Sequence, residues 1–163
     1  MYLPYANLKY LEVRQMSKPT LVIVTSKTCS ACRSYKANLA QALMAVLRKD
    51  NRIQVGEIDL ETMRSPLPST YPKELRRFIG WYPTFILLAP MKGDQLEGVV
   101  FNGDMSHGHV SGPTGQRPIS IEGITSWLNQ ELASNPLFSQ RSSASKQELP
   151  PTFRRTIYKP SNY

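Results

Sequence analysis

The chain has 163 residues, 40% of them hydrophobic, with the apolar runs gathered between Leu21 and Leu132. That is enough for one folded domain and argues against wholesale disorder, while no run approaches the roughly 20 apolar residues of a membrane-spanning helix. Twenty basic side chains against twelve acidic ones give a net charge of +8.

Half of that surplus lies in residues 134–163, where six serines and four prolines build no core of their own. The segment reads as a basic, extended C-terminal tail. If it binds, its partner is anionic or a large assembly, with Leu137, Phe138, Phe153, Ile157 and Tyr158 as anchors. Residues 1–17 read as an N-terminal extension with weak helical character from Leu8 and Leu11. Met1 to Tyr5 lack a basic stretch followed by an apolar one, so no signal peptide is expected; the location is left open, with a cytoplasmic or particle-associated one expected.

Within residues 18–133 the periodicity alternates between strand and helix. Thr20 to Thr25 is a continuous apolar and β-branched run, which predicts a strand covered on both faces. After Ser26-Lys27-Thr28, Cys32, Tyr35, Leu39, Ala42, Leu43 and Val46 recur at spacings of three and four, predicting one amphipathic helix. Ile53, Val55 and Ile58 predict a second, parallel strand stopping at Asp59, a turn-former. Tyr71 to Ile79 reads as a short helix, Trp81 to Leu88 as a buried strand with Pro83 near its start, and Gly98 to Gly103 as its antiparallel neighbour. Residues 104–118, rich in glycine and proline, read as a surface loop. Ser120 then caps a helix with Ile121, Ile124, Trp127, Leu128 and Leu132 on one stripe.

The two cysteines lie three apart, as Cys29-Ser30-Ala31-Cys32. Two cysteines make no disulfide framework, and with His107 and His109 as the only histidines no four-ligand zinc site is expected. Neither metal nor cofactor is expected. The pair therefore reads first as a redox couple. Cys29 falls at a helix start, where unpaired amides and the positive dipole end favour an anion. Lys27 and Arg33 flank it as candidate tuning charges favouring the thiolate. Cys32, one turn deeper, reads as shielded, so that an exposed nucleophile precedes a hidden resolving thiol.

Leu21-Val22-Ile23-Val24, the cysteine pair, Gly80-Trp81-Tyr82-Pro83-Thr84-Phe85 and the closing helix resemble, in this order, the thioredoxin superfamily and its protein disulfide isomerase-like branch. The resemblance covers residues 18–133. It implies an α/β, thioredoxin-like fold with a central mixed β-sheet flanked by helices. It also implies catalytic Cys29 and Cys32, a cis-proline at Pro83, and substrate binding by the Tyr82 backbone. The implied activity is thiol–disulfide exchange with protein thiols and disulfides. The chain departs from the family at Thr28, where tryptophan is usual, at Ser30-Ala31 between the cysteines, and at Ile23, which stands where the family has a buried acid. These departures keep a second reading open, a thioredoxin-like structural or adaptor component of a larger assembly, such as a virion, docked by its tail.

Overall fold

A computed structural model describes residues 17–115 and 117–138. The expected N-terminal helix and the anchors Phe153, Ile157 and Tyr158 lie outside these residues. The described elements are β1 (Thr20–Ser26), α1 (Ser30–Asn38), α2 (Ala40–Leu47) and β2 (Gln54–Leu60). A 3-10 helix (Lys73–Phe78), β3 (Thr84–Leu88), β4 (Gly98–Val100) and α3 (Ile121–Ser134) follow. The strands form one mixed sheet in the order β2-β1-β3-β4, with β1 and β2 parallel and the other pairs antiparallel. The protein is thus a mixed α/β structure with helices set against a four-stranded sheet.

Burial follows from the sequence pattern. Every residue of β1 and of β3 is buried, as continuous apolar runs require when both sheet faces are covered. On one face Val22, Val24, Ile58, Leu60, Ile86, Leu88 and Val100 pack with Tyr71, Leu75, Phe78 and Leu96. On the other an edge-to-face ladder runs from Tyr35 of α1 through Phe85 and Phe101 to Trp127 of α3, with ring centroids 5.5, 6.0 and 5.4 Å apart. Such offset contacts suit the aromatic quadrupole, and this ladder ties α1 to the sheet. Ser120 caps α3 as its position suggests, its Oγ accepting from the Gly123 amide at 2.9 Å. A second compact unit begins at Asn129; within it Asn135 bonds back to Glu131 and its side chain accepts from the Leu137 amide.

Several boundaries differ from expectation. The single helix expected after Thr28 is two, broken at Leu39, whose φ of −132° leaves the helical range. The break re-aims the second segment, so Leu43, Met44 and Leu47 are buried while Ala42 and Val46 face outward. The segment before β3 is a 3-10 turn rather than an α-helix, and β3 starts at Thr84 rather than Trp81. Asp59 does not end its strand in a turn. It sits inside β2, which runs to Leu60 and is the last strand on its side of the described sheet. The 104–118 loop carries its own order, with Asp104 bridged to Ser111 and a cis Gly112–Pro113 bond.

Phe85 is 1% exposed and holds the middle of the aromatic ladder. Truncating it, Phe85→Ala, removes two ring contacts and opens a cavity, and should cost about 3–5 kcal/mol in urea unfolding. A loss below about 1 kcal/mol would show that the ladder does not anchor α1.

Candidate functional site

The sheet register brings the candidate residues to one end. Antiparallel pairing of Val24 with Thr84 places the turn after β1 beside the start of β3. Parallel pairing of Ser26 with Leu60, extended by the Lys27 amide on the Leu60 carbonyl at 2.9 Å, brings the end of β2 to the same place. Residues 27–32, 59–61 and 82–83 therefore meet although they are far apart in sequence.

Cys29 is the N-cap of α1. Its backbone is extended (φ −100°, ψ 119°), its carbonyl accepts the first helical bond from Arg33 at 3.1 Å, and its Sγ accepts from the Cys32 amide at 3.1 Å. A sulfur thus does the work that serine or aspartate oxygens do at other helix starts. Cys29 and Cys32 lie 2.7 Å apart and are free thiols rather than a disulfide. The Cys29 thiol donates to the Tyr82 carbonyl at 3.7 Å, and the Tyr82–Pro83 peptide bond is cis. The structure brings Cys29, Cys32, Tyr82 and Pro83 together.

Two expectations need correction. Cys29 is not an openly exposed nucleophile. It keeps 7% of its surface while Cys32 keeps none, because the first turn of α1 and the Tyr82 carbonyl cover it. Nor does Lys27 reach toward the sulfur. Its ammonium binds Asp59 at 3.1 Å and Glu61 at 3.4 Å, which raises its affinity for the proton. Arg33 lies over the turn, its guanidinium donating to the Lys27 carbonyl at 3.5 Å.

Sequence reasoning missed Asp59 and Arg76. Asp59 accepts from Thr25 Oγ1 and Lys36 Nζ, both at 2.8 Å, besides its bond from Lys27. Burial opposes its ionisation, but these donors outweigh that effect and hold its carboxyl below the usual range. With Ile23, Thr25, Tyr35, Lys36, Ala40 and Glu57 it lines a cleft of about 220 Å³ between β1–β2 and α1–α2. The Tyr35 hydroxyl in that cleft has no hydrogen-bond partner, and burial, aided by Glu57, pushes it well above the usual tyrosine range. Arg76 donates to the Tyr82 hydroxyl at 3.3 Å and to the Ser65 carbonyl at 2.7 Å, and the Tyr82 hydroxyl in turn donates to the Met63 carbonyl at 3.0 Å. Tyr82 is therefore strapped at its ring end while its carbonyl meets the thiol. Among sequence signals, only an arginine six residues before Tyr82 pointed to this strap.

Burial, and then the hydrogen bond with Cys29, push the Cys32 thiol up to about 12. Among the described residues no group of three or more histidine, cysteine, aspartate or glutamate side chains could hold a metal, and no helix is long and apolar enough to cross a membrane. Neither a scan against protein-family models nor a search of curated proteins found a match to this chain.

The Cys32 shift has a consequence for stability. An unfolded cysteine ionises near 8.5, whereas native Cys32 holds its proton to about 12. The native state binds more protons across that window, so this contribution is whole below about pH 8.5 and is lost as pH rises toward 12. Under reducing conditions, urea unfolding between about pH 8 and 9.5, below the tyrosine range, should show stability falling. In Cys32→Ala that slope should flatten. An equal slope in the variant would contradict a thiol held protonated by its surroundings.

Proposed function

We propose that the chain is a thiol–disulfide oxidoreductase of thioredoxin-like fold, acting on protein thiols and disulfides through Cys29 and Cys32. The observation that carries this reading is the setting of the Cys29 sulfur. It receives the Cys32 amide at the helix start, has its partner thiol 2.7 Å away, and faces the Tyr82 carbonyl.

In the reducing direction, deprotonated Cys29 attacks one sulfur of a substrate disulfide. A bond forms between Cys29 and that sulfur, the substrate bond breaks, and the leaving sulfur takes a proton. Cys32 then loses its proton and attacks the Cys29 sulfur, closing the Cys29–Cys32 disulfide and releasing the second substrate thiolate. Once that thiolate is reprotonated, and counting the proton Cys29 gave to solvent before its attack, the substrate has gained two electrons and two protons and the pair has lost them. Run in reverse, the same steps oxidise a dithiol. Cys29 fits the attacking role because it alone of the two retains surface, and Cys32 fits the resolving role because it is sealed. The backbone of Tyr82, next to the cis bond and strapped by Arg76, suits an extended peptide laid along that edge.

The small exposure of Cys29 also favours a second reading, in which the domain is a structural module and the thiols are inert. The two separate on covalent trapping. Replacement of the resolving thiol, Cys32→Ser, should let Cys29 accumulate mixed disulfides with oxidised protein substrates, visible by mass spectrometry and reversed by dithiothreitol. The double variant Cys29→Ser/Cys32→Ser should form none. No adduct with the single variant, together with no insulin reduction by the unaltered chain, would leave the structural module standing.

A further inference from the structure

The charges around the thiol pair do not cancel evenly. Lys27 and Lys36 are both bonded to Asp59, and Lys27 also reaches Glu61, so two ammonium groups meet two carboxylates. Three guanidinium groups, one on the turn that carries Cys29 and two at the strap that holds Tyr82, have no such partner among the described residues. Arg33 follows Cys29 by one helical turn, and its guanidinium donates to a backbone carbonyl of the turn that carries Cys29. Arg76 donates to the Ser65 carbonyl and the Tyr82 hydroxyl. Arg64 follows Met63, whose carbonyl holds Tyr82, and is exposed. Neutral acceptors leave a guanidinium its full charge, which no ordinary change of pH removes. Among the described residues no ion pair joins Glu57 or Glu74 to these arginines. Glu74 on the 3-10 helix adjoins Lys73, and Glu57 opens into the cleft that Lys36 also lines.

We infer that Cys29 selects protein and peptide disulfides flanked by acidic side chains, with Arg33 of the α1 turn and Arg64 and Arg76 of the Tyr82 strap receiving their carboxylates. The inference rests on the oxidoreductase reading and names the substrate class for the same site. A thiolate nucleophile repels an anionic partner, and uncompensated cations around it reverse that effect. A field of one sign also raises the local concentration of oppositely charged reactants, by roughly 10- to 1000-fold in favourable clefts. Arginine suits the task because its planar fork matches a carboxylate with two parallel hydrogen bonds. The bond chemistry is unchanged: Cys29 bonds the nearer sulfur, the old sulfur–sulfur bond breaks, and the departing thiolate is protonated from solvent.

The test uses the reduced full chain and two cysteine peptides, one flanked on both sides by aspartates and one by lysines, each activated as a 2-thiopyridyl mixed disulfide. Release of pyridine-2-thione gives the second-order rate constant, divided by that of 2-mercaptoethanol with the same peptide. The aspartate peptide should react roughly tenfold faster than the lysine peptide at low ionic strength, with the ratio shrinking to about twofold or less near 1 M salt. Arg33→Gln combined with Arg64→Gln should shrink it at low salt without added salt. Arg76→Gln is tested separately because it also loosens Tyr82. A normalised ratio near one, or in favour of lysine, overturns the substrate preference while leaving the exchange chemistry intact. If neither peptide reacts at Cys29 while 2-mercaptoethanol consumes both, the preference and the oxidoreductase reading fall together.

Discussion

The hydrogen bond from the Cys32 amide to the Cys29 sulfur is the contact from which the site is built. The first amides of a helix have no intrahelical acceptor, so the chain entering α1 must supply one, and here it supplies sulfur. That choice fixes the Cys29 side chain over the helix start, beside Cys32 and beneath the Tyr82 carbonyl. It also aims an amide proton and the positive end of the helix dipole at the atom that would carry negative charge in the proposed exchange. Were Cys29 a residue or two earlier, its sulfur would lie in the Ser26–Thr28 turn, away from both partners.

Around this contact the charges are sorted by geometry. The end of β2 delivers Asp59 and Glu61 to the back of the turn, where they occupy Lys27 and Lys36. These are pairs between largely exposed groups, and such pairs contribute little to stability. Their larger effect is on the field. By tying up the lysines they leave the character of the thiol surface to arginines whose partners are carbonyl and hydroxyl oxygens. On the β3 side, Arg76 and the Met63 carbonyl hold the far end of Tyr82, so the loop before the 3-10 helix shapes the edge that faces the thiol.

What was legible in the sequence divides along physical lines. The continuous apolar runs of Leu21–Val24 and Phe85–Leu88 announced buried strands, because burial on both faces leaves no alternation, and both strands are present. The Ser120 cap was legible because capping is local. The helix break at Leu39 was not: no glycine or proline marks it, and Ala42 and Val46 continued the apolar spacing. Asp59 was misplaced for a related reason. Its partners Thr25, Lys27 and Lys36 lie 34, 32 and 23 residues away, and only the parallel register joins them. Lys27 looked like a companion of Cys29 because it precedes it by two residues, yet its ammonium on a flexible stem goes to the carboxylates of Asp59 and Glu61. Nearness in sequence located the thiols well and the charges poorly.

The most direct test of the whole account is redox equilibration of the reduced chain with glutathione buffers, with the Cys29–Cys32 disulfide read by mass spectrometry after acid quenching. The account predicts a single, reversible two-electron transition to an intramolecular disulfide, with a midpoint between about −270 and −120 mV, the span from reductive to strongly oxidising pairs of this kind. A chain that yields only glutathione adducts, or whose two thiols never join while the fold stays intact, would contradict it.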